Sequence, residues 1–385
     1  MSDFEKLNEA IQLAPRVPLG DLIVQCDERN SDGLYTVNDV KGVSINKVII
    51  ETKADMTGVS LSPYKLFKHD EFCFVPITSR NGDRITLSIN DHNRTYIVSS
   101  SYCVFKVAET SWLLPMFLYL YFCRSEFDRY ARFNSWGSAR EAFSFDDMRR
   151  VRFPLPPIEV QQQYVDAYSG LRKLAEENEA LLDPLSKACQ ACLSDARKKY
   201  TSVQLADYID SVDNRNYDGY YSVDHLQGVT SEGVFNYSKA KTDGIDFTKY
   251  KIVKEGCFAY NPSRINLGSI ALRKGEDCII SPMYIVFKVN TKGQNELMPE
   301  FLYLWFMRPE FQRSTLFYAS GSVRDTFGYN EMCRVSIPLP PIEVQQSIVA
   351  LHRCAEEARS IAAKARETLN SICPAMIQRA THEMH

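Results

Sequence analysis

Two stretches of the chain repeat apolar residues in alternating steps of four and three, the pattern of the a/d seam of a coiled-coil helix. The first stretch comprises Val160, Tyr164, Ala167, Leu171, Leu174, Asn178, Leu181, Leu185, Ala188 and Cys192. The second, offset by 184 residues, comprises Val344, Ile348, Leu351, Ala355, Ala358, Ala362, Ala365, Leu369, Ile372 and Met376. The pattern predicts two long helices that pack on each other.

Prolines mark where these helices should begin and where they should be disturbed. A Pro-Pro pair precedes each stretch, which favours an extended entry and a helix start at Ile158 or Ile342. Pro184 and Pro374 fall inside the predicted helices and should kink or break them. Asn178 could fix the register of the pair, but a tolerated polar position near solvent is the preferred interpretation.

The segments that precede the helices have a different pattern. Short β-type runs, such as residues 95–107 and 278–289, alternate with turn clusters and with one apolar helix, at residues 115–132 or 299–313. Each segment therefore predicts a globular α/β lobe. With a similar lobe at the start of each helix, an antiparallel helix pair with one lobe at each end is expected.

The chain is an internal duplication. Residues 115–162 align without a gap to residues 299–346, and 27 of the 48 positions are identical. The hinge sequence 154–162 returns unchanged at 338–346, and the loop Gly-Ser-x-Arg occurs at 137–140 and 321–324. Unrelated segments of ordinary composition match at only a few positions, so the two halves are copies of one unit.

These patterns define the expected fold and its boundaries. The predicted class is α+β, with two α/β domains in a tandem pseudo-two-fold repeat, joined by two long helices that form an antiparallel coiled coil. The expected segments are an N-terminal helical segment (1–16), lobe 1 (17–157), a central helix (158–200), lobe 2 (201–341) and a C-terminal helix (342–385).

Composition narrows the compartment and the chemistry. The 385 residues include 11 cysteines without metal-ligand spacing, and the first sixteen residues lack the features of a secretory signal. No apolar run approaches the length of about 20 residues that a membrane helix needs. A cytoplasmic protein without disulfides, metal or cofactor is expected, and Cys189-x-x-Cys192 is interpreted as part of a helix.

The charge does not suggest a nucleic-acid reader. The formal net charge is −3, and lobe 1 contains 17 basic and 17 acidic residues, lobe 2 15 and 16. A protein that neutralises many phosphates usually carries clustered Lys and Arg.

The duplicated Pro-Leu-Pro-Pro-x-x-x-Gln-Gln hinge, preceded each time by a divergent lobe and followed by a long helix, resembles the specificity subunits of type I restriction-modification enzymes. The resemblance covers nearly the whole chain. It implies that each lobe is a target recognition domain for one half of a split double-stranded DNA site. It also implies that the helices set the half-site separation and bind two methyltransferase subunits, which recruit restriction subunits. The methyltransferase subunits would clamp the DNA phosphates, which accounts for the near-neutral charge of this chain.

Two groups of residues are candidates for DNA contact. Polar turn residues are candidate base readers, because Arg can bridge guanine and Asn can bridge adenine; they are Ser79, Arg80, Asn81 and Arg84 in lobe 1 and Ser263, Arg264 and Asn266 in lobe 2. A loop shared by both lobes suits backbone contact better; its residues are Ser138, Arg140, Ser322 and Arg324. Trp136, replaced by Ser320 in the second copy, could be a wedge, although a packed surface Trp is preferred.

Two other classes of function remain open. A methyltransferase or nuclease is disfavoured, because Asn261-Pro-Ser-Arg264 lacks the second Pro and the aromatic residue of an adenine-binding loop and is interpreted as a turn. Glu51-Thr-Lys53 has nuclease-like spacing without an upstream Pro-Asp. No catalytic residue is assigned. The third class is a coiled-coil scaffold that does not touch DNA, and sequence-specific binding with and without a methyltransferase would discriminate among the three.

Overall fold

A computed structural model describes residues 13–79, 82–137, 140–237, 244–318 and 326–382, the last without side chains beyond residue 369. The chain divides into two compact units. Unit 1 comprises residues 1–178 and 361–385, and unit 2 comprises residues 179–360. Each unit therefore contains one lobe and parts of both long helices. The predicted N-terminal helical segment lies mostly outside the described residues, and Arg16 already belongs to a strand.

Both lobes consist of short strands and short helices. The strands of lobe 1 are β1 Arg16–Pro18, β2 Ile23–Cys26, β3 Lys41–Val43, β4 Ile49–Glu51, β5 Lys65–Phe67, β6 Glu71–Phe74, β7 Leu87–Ile89, β8 Tyr96–Val98, β9 Cys103–Val107 and β10 Arg152–Pro154. Its helices are α1 Pro115–Phe122, α2 Ser125–Phe133 and α3 Phe145–Arg149, and the first long helix, α4 Ile158–Lys199, follows.

Lobe 2 repeats this order. Its strands are β11 Ser202–Gln204, β12 Ile209–Ser211, β13 Gln227–Val229, β14 Phe235–Tyr237, β15 Lys251–Val253, β16 Cys257–Tyr260, β17 Ile270–Leu272, β18 Cys278–Ile280, β19 Ile285–Val289 and β20 Ser336–Pro338. Its helices are α5 Pro299–Phe306, α6 Pro309–Tyr318 and α7 Tyr329–Cys333, and the second long helix, α8 Ile342–His382, follows.

The two lobes have the same sheet topology and the same aromatic core. Lobe 1 has a four-stranded antiparallel sheet in the order β2-β9-β6-β7, and lobe 2 has the order β12-β19-β16-β17. Phe72 stacks on Phe105 with ring centroids 5.0 Å apart, and Phe258 stacks on Phe287 at 4.9 Å. The tandem repeat predicted from sequence is thus a repeat of fold.

The repeated hinge joins each lobe to its helix through a buried glutamine. The Gln161 amide nitrogen donates to the carbonyl oxygens of Trp112 and Pro156, and its Oε1 accepts from the Leu114 N–H at 2.9 Å. In lobe 2, Gln345 makes the same contacts with Glu296, Pro340 and Met298. Because a buried amide without partners would be costly, these three bonds explain why this glutamine recurs.

Several predicted elements are shorter than expected. The apolar helix of each lobe is two helices, which are separated at residues 123–124 in lobe 1 and 307–308 in lobe 2. In lobe 2, Pro309 starts the second helix, a position where its missing N–H costs nothing. The β-type runs 95–107 and 278–289 are likewise two strands each, β8 and β9 or β18 and β19, joined by a turn.

The two long helices run antiparallel. In unit 1, Tyr168 and Arg172 of α4 line the same cavity as Arg366 of α8. In unit 2, the Cys189 thiol of α4 lies 4.0 Å from the Ile348 carbonyl oxygen of α8. The early part of each helix therefore lies beside the later part of the other.

The predicted seam is confirmed at most positions of α8 up to Leu369 and is partly wrong for α4. Ile348, Ala355, Ala358, Ala362, Ala365 and Leu369 are all buried. Ile372 and Met376 lie outside the residues whose side chains the structure describes. In α4, Leu174 and Leu181 are 42% and 50% exposed, whereas the neighbouring Ala175 is fully buried. Small residues allow two helices to approach closely, so α4 presents Ala175 in place of the bulkier leucine.

The polar and proline positions of α4 are accommodated within a continuous helix. Pro184 does not break α4, and the helical backbone of α8 also continues past residue 374. The Asn178 amide donates to the Leu174 carbonyl oxygen of its own helix at 2.8 Å, in keeping with a tolerated polar position.

Candidate nucleic-acid interface

In lobe 1, the two groups of candidate residues lie on adjacent loops. The loop that joins β6 to β7 runs from residue 75 to residue 86, and its Thr78 N–H donates to the Glu141 carbonyl oxygen at 2.9 Å. The Phe143 N–H donates to the Pro76 carbonyl oxygen at 2.8 Å. These bonds hold the base of the β6–β7 loop against the segment that precedes α3, so residues distant in sequence share one surface.

Lobe 2 has the same arrangement with a shorter loop. The Phe327 N–H donates to the Pro262 carbonyl oxygen at 2.9 Å, as Phe143 does to Pro76. The loop ends at the Asn261–Ser269 backbone bond, which corresponds to the Val75–Thr86 bond of lobe 1. The loop of lobe 1 is therefore three residues longer. A shared base with a loop of different length suits two readers of different sequences.

The candidate residues within the described part of lobe 1 are exposed. They are Ser79, Arg84 and Arg140, while Arg80, Asn81 and Ser138 lie outside the described residues. Gly137 begins the shared loop with φ +143°, and a Cβ there would lie 2.3 Å from the Arg140 carbonyl oxygen. Only glycine fits this position of lobe 1.

The described candidates of lobe 2 lie in one turn. Ser263 and Arg264 are exposed and Asn266 is half-buried, while Ser322 and Arg324 lie outside the described residues. The Oδ1 atom of the buried Asn261 accepts the Ser263 N–H at 3.0 Å. The segment therefore forms the turn that was expected, and the Asn261 side-chain oxygen closes it through this hydrogen bond.

Trp136 is not packed, contrary to the preferred interpretation. Its side chain is 67% exposed, while its backbone pairs with Ala142 through two bonds of 3.0 Å. The indole therefore stands at the neck of the shared loop of lobe 1, next to solvent.

Arg84 also lines a cavity that sequence reasoning missed. This cavity, of about 620 Å³, lies in unit 1 between the lobe and the long helices, and Lys47, Asp128, Tyr168 and Arg366 line it with Arg84. Lys47 Nζ lies 2.5 Å from Asp128 Oδ1, and both side chains are nearly buried. Burial lowers the pKa of Lys47, and the Asp128 carboxylate opposes that effect. Lys47 adopts a left-handed conformation with φ 63°.

Unit 2 has a cavity at the equivalent place with different chemistry. It measures about 420 Å³ and is lined by Leu182, Cys189, Tyr303, Met307 and His352, among others. Burial lowers the pKa of His352. The first cavity is lined by three cationic side chains and one carboxylate, whereas the second is lined by two arginines and three glutamates, so the two linings differ in the sign of their net charge.

A cluster of arginines near the first hinge was also missed. Arg149, Arg150 and Arg152 surround a depression of about 510 Å³ with Asp21 and Asp146. The Arg149–Asp146 contact, at 3.8 Å, is between exposed groups and is therefore weak, and Arg150 contacts the less exposed Asp147 at 3.2 Å. Lobe 2 has Cys333, Arg334 and Ser336 at these positions, so the excess positive charge belongs to lobe 1 alone.

In the described part of the chain, no three His, Cys, Asp or Glu side chains come together as a metal site. None of the helices there is long and apolar enough to cross a bilayer.

The sequence matches one protein family over most of its length. The family model described as "Type I restriction modification DNA specificity domain" matches residues 45–183 and 197–352. Comparison with curated protein sequences gives no match.

Two solved structures align with nearly the whole chain. The crystal structure of a type I restriction-modification system S subunit from M. genitalium has a TM-score of 0.55 at 13% identity, covering 96% of each chain. The HsdS subunit from Thermoanaerobacter tengcongensis gives a TM-score of 0.43 at 18% identity, again over 96% of each chain. At 13% identity, the similarity to the M. genitalium subunit shows a shared fold alone.

Proposed function

The chain belongs to the family of type I restriction modification DNA specificity domains and is a DNA-sequence-recognition subunit, and from this premise we propose that each lobe reads one half of a bipartite DNA site. The observation that carries the proposal is the repeated frame with divergent loops. The two family matches cover one lobe each, and the hinges are identical, while the β6–β7 and β16–β17 loops differ in length and sequence.

The proposed readers are polar residues of the two loops that differ between the lobes, and the shared loops are proposed to hold the DNA backbone. Base contacts come from Ser79, Arg80, Asn81, Arg84, Ser263, Arg264 and Asn266, and backbone contacts from Ser138, Arg140, Ser322 and Arg324. Residues common to both lobes cannot distinguish two half-sites, which supports this division of roles.

The long helices act as the spacer. Helix α4 contains 42 residues, about 63 Å at 1.5 Å per residue. Half-sites read from one side of a duplex lie about 34 Å apart for each helical turn. The domains 17–157 and 201–341 would then act as readers, and the helices 158–200 and 342–385 would set their separation.

Methyltransferase subunits are the proposed partners of the helices. Leu174 and Leu181 leave an apolar stripe of α4 in solvent, which a further helix could cover. With each lobe close to neutral, those subunits would supply most phosphate contacts and, as parts of a DNA adenine methyltransferase complex, would carry the catalytic centre and recruit restriction subunits.

Exchange of one lobe tests the proposal. Residues 201–341 are replaced by the corresponding lobe of a related subunit, and methylated adenines are mapped after reconstitution with the methyltransferase. We expect one half of the recognised site to change while the other half and the partnership persist. A change in both halves, or in neither, would contradict one reader per lobe.

Lengthening the spacer tests the role of the helices. Four residues inserted after Gln162 add about 6 Å of helix. At 3.4 Å per base pair, the unread gap should widen by one or two base pairs while both half-sites stay the same. Sequence-specific binding measured with and without the methyltransferase separates this function from a scaffold that does not touch DNA.

A further inference from the structure

Both lobes contain a second turn with the same internal frame. It comprises residues 29–35 in lobe 1 and 215–221 in lobe 2. The buried Asn30 donates from Nδ2 to the Tyr35 carbonyl oxygen at 2.9 Å and accepts the Tyr35 N–H at 3.1 Å. Asn216 makes the same two bonds with Tyr221, at 2.8 and 3.0 Å.

The base of this turn is also the same in both lobes. Arg29 binds Asp27 through one guanidinium nitrogen, at 3.0 Å from each carboxylate oxygen, and Arg215 binds Asp213 at 3.1 Å. A lysine approaches each aspartate as well, Lys65 at 3.0 Å and Lys251 at 3.4 Å. The same Asp–Arg–Lys contacts therefore fix the base of the turn in both lobes.

The tip of the turn differs between the lobes. Where lobe 2 has Tyr217 and Tyr220, 74% and 76% exposed, lobe 1 has Ser31 and Leu34. Gly33 and Gly219, both at φ +67°, keep the turn in one conformation. The side chains at the tip can therefore vary without any change in the backbone that presents them.

We propose that this turn is a further reading loop, whose tip residues contact base edges and help to specify the half-site of their own lobe. The inference rests on the proposed function of the lobes. A shared rigid frame with divergent exposed tips is the arrangement that lets one fold read two sequences.

The tyrosines suit contact with DNA bases. An aromatic ring covers the methyl group of thymine, and its hydroxyl can bind a neighbouring polar edge. Tyr220 packs edge-on against Tyr221 at 5.0 Å, and Tyr221 donates from its hydroxyl to Asp277 at 3.1 Å. Tyr220 is thus oriented before any ligand arrives, which lowers the entropy lost on binding.

The test exchanges the tips between lobes. The full chain, bound to its methyltransferase partner, is incubated with a pool of randomised DNA duplexes, and bound sequences are counted. Tyr217→Ser with Tyr220→Leu should weaken discrimination at one or more base pairs of the lobe-2 half-site by about tenfold. Ser31→Tyr with Leu34→Tyr should alter only the other half-site.

Tyr237→Ser is the matched control, because Tyr237 is 69% exposed on lobe 2 but lies outside the turn. It should leave the counts unchanged. Tip variants that behave like this control, or that lose affinity equally for all sequences, would overturn base reading by the turn. If the tips have no effect but lobe exchange still changes one half-site, the lobes read DNA through other loops; if lobe exchange also has no effect, the proposed function itself fails.

Discussion

Lobe 1 and lobe 2 share a topology but fill one equivalent interior site in different ways. The turn between β3 and β4 carries Lys47, whose side chain enters the lobe and pairs with Asp128. The matching turn between β13 and β14 carries Gly233 at φ +74°, close to the 63° of Lys47. The same backbone therefore holds a buried charge in one lobe and no side chain in the other.

The neighbouring residues differ in a compensating way. A Cβ on Gly233 would lie 2.5 Å from the Met307 sulfur, so Met307 occupies the space of a side chain in lobe 2. Lobe 1 has the smaller Cys123 at that position, and Asp128 is replaced by Gln312. The β-hairpin of each lobe is therefore matched to the helices of the same lobe. A functional exchange must therefore move a whole lobe, because an exchange of the segment before α1 alone would separate these partners.

The largest effect is expected where this match is broken in lobe 1. Lys47→Gly suits the backbone conformation but leaves Asp128 buried without its cation, which should cost about 3–5 kcal/mol of folding free energy. Chemical denaturation measures it. Adding Asp128→Gln and Cys123→Met, the residues of lobe 2, should restore most of the loss; a triple variant no more stable than Lys47→Gly would contradict the compensation.

A somewhat smaller effect is expected from the difference between the long helices. Leu369→Asp places a charge in the buried stripe of α8 and should cost about 3 kcal/mol. Leu174→Asp, on the exposed stripe of α4, should change the free energy of unfolding by no more than about 0.5 kcal/mol, as expected for a surface site. Thermal unfolding of both variants measures the difference. Equal losses in both variants would mean that α4 buries Leu174 as its heptad pattern predicts.

The next effect concerns two glycines of lobe 2 with positive φ. Gly268→Ala should cost about 2 kcal/mol or more, because its Cβ would lie 2.3 Å from the Ser231 carbonyl oxygen at φ +88°. Gly219→Ala, at φ +67° with open space around it, should cost about 1 kcal/mol. Denaturant midpoints give both values, and a larger loss at Gly219 would refute the steric argument.

The smallest effect is expected in electrostatics. Because both lobes are nearly neutral, the isolated chain should bind DNA weakly, and its affinity should fall only slightly as salt rises. Titration of fluorescent duplexes at several salt concentrations measures the slope with and without the methyltransferase. Tight specific binding by the chain alone at physiological salt would show that the lobes supply the phosphate contacts themselves.

Much of the fold was predictable because it is periodic or repeated. The α8 stripe follows its heptads, and the duplicated hinge marks both helix starts. The prediction for α4 is partly wrong because hydrophobicity favours Leu174, whereas close packing favours Ala175. The break between α1 and α2 was not predictable, because lobe 1 has Ser125 where lobe 2 has Pro309 at the start of its second helix.

The candidate site was predictable in outline. Turn composition identified the loops around Ser79 and Ser263, but their contact with the segments before Phe143 and Phe327 depends on tertiary structure. The Lys47–Asp128 pair joins residues 81 positions apart and follows no pattern. The sequence Arg-Asn-x-Asp-Gly occurs at 29–33 and again at 215–219, yet only the structure separates its buried asparagine from its exposed tip.

The buried hinge glutamines have a mechanical consequence. Gln161 fastens the first turn of α4 to backbone atoms of its lobe at Trp112, Leu114 and Pro156, which leaves little freedom for the lobe to swivel on its helix. A rotation of the helix about its own axis should therefore turn the whole lobe with it, and would change the angle at which the proposed reading loops meet DNA. Gln161→Ala would remove these three hydrogen bonds and should allow the lobe to rotate more freely relative to its helix.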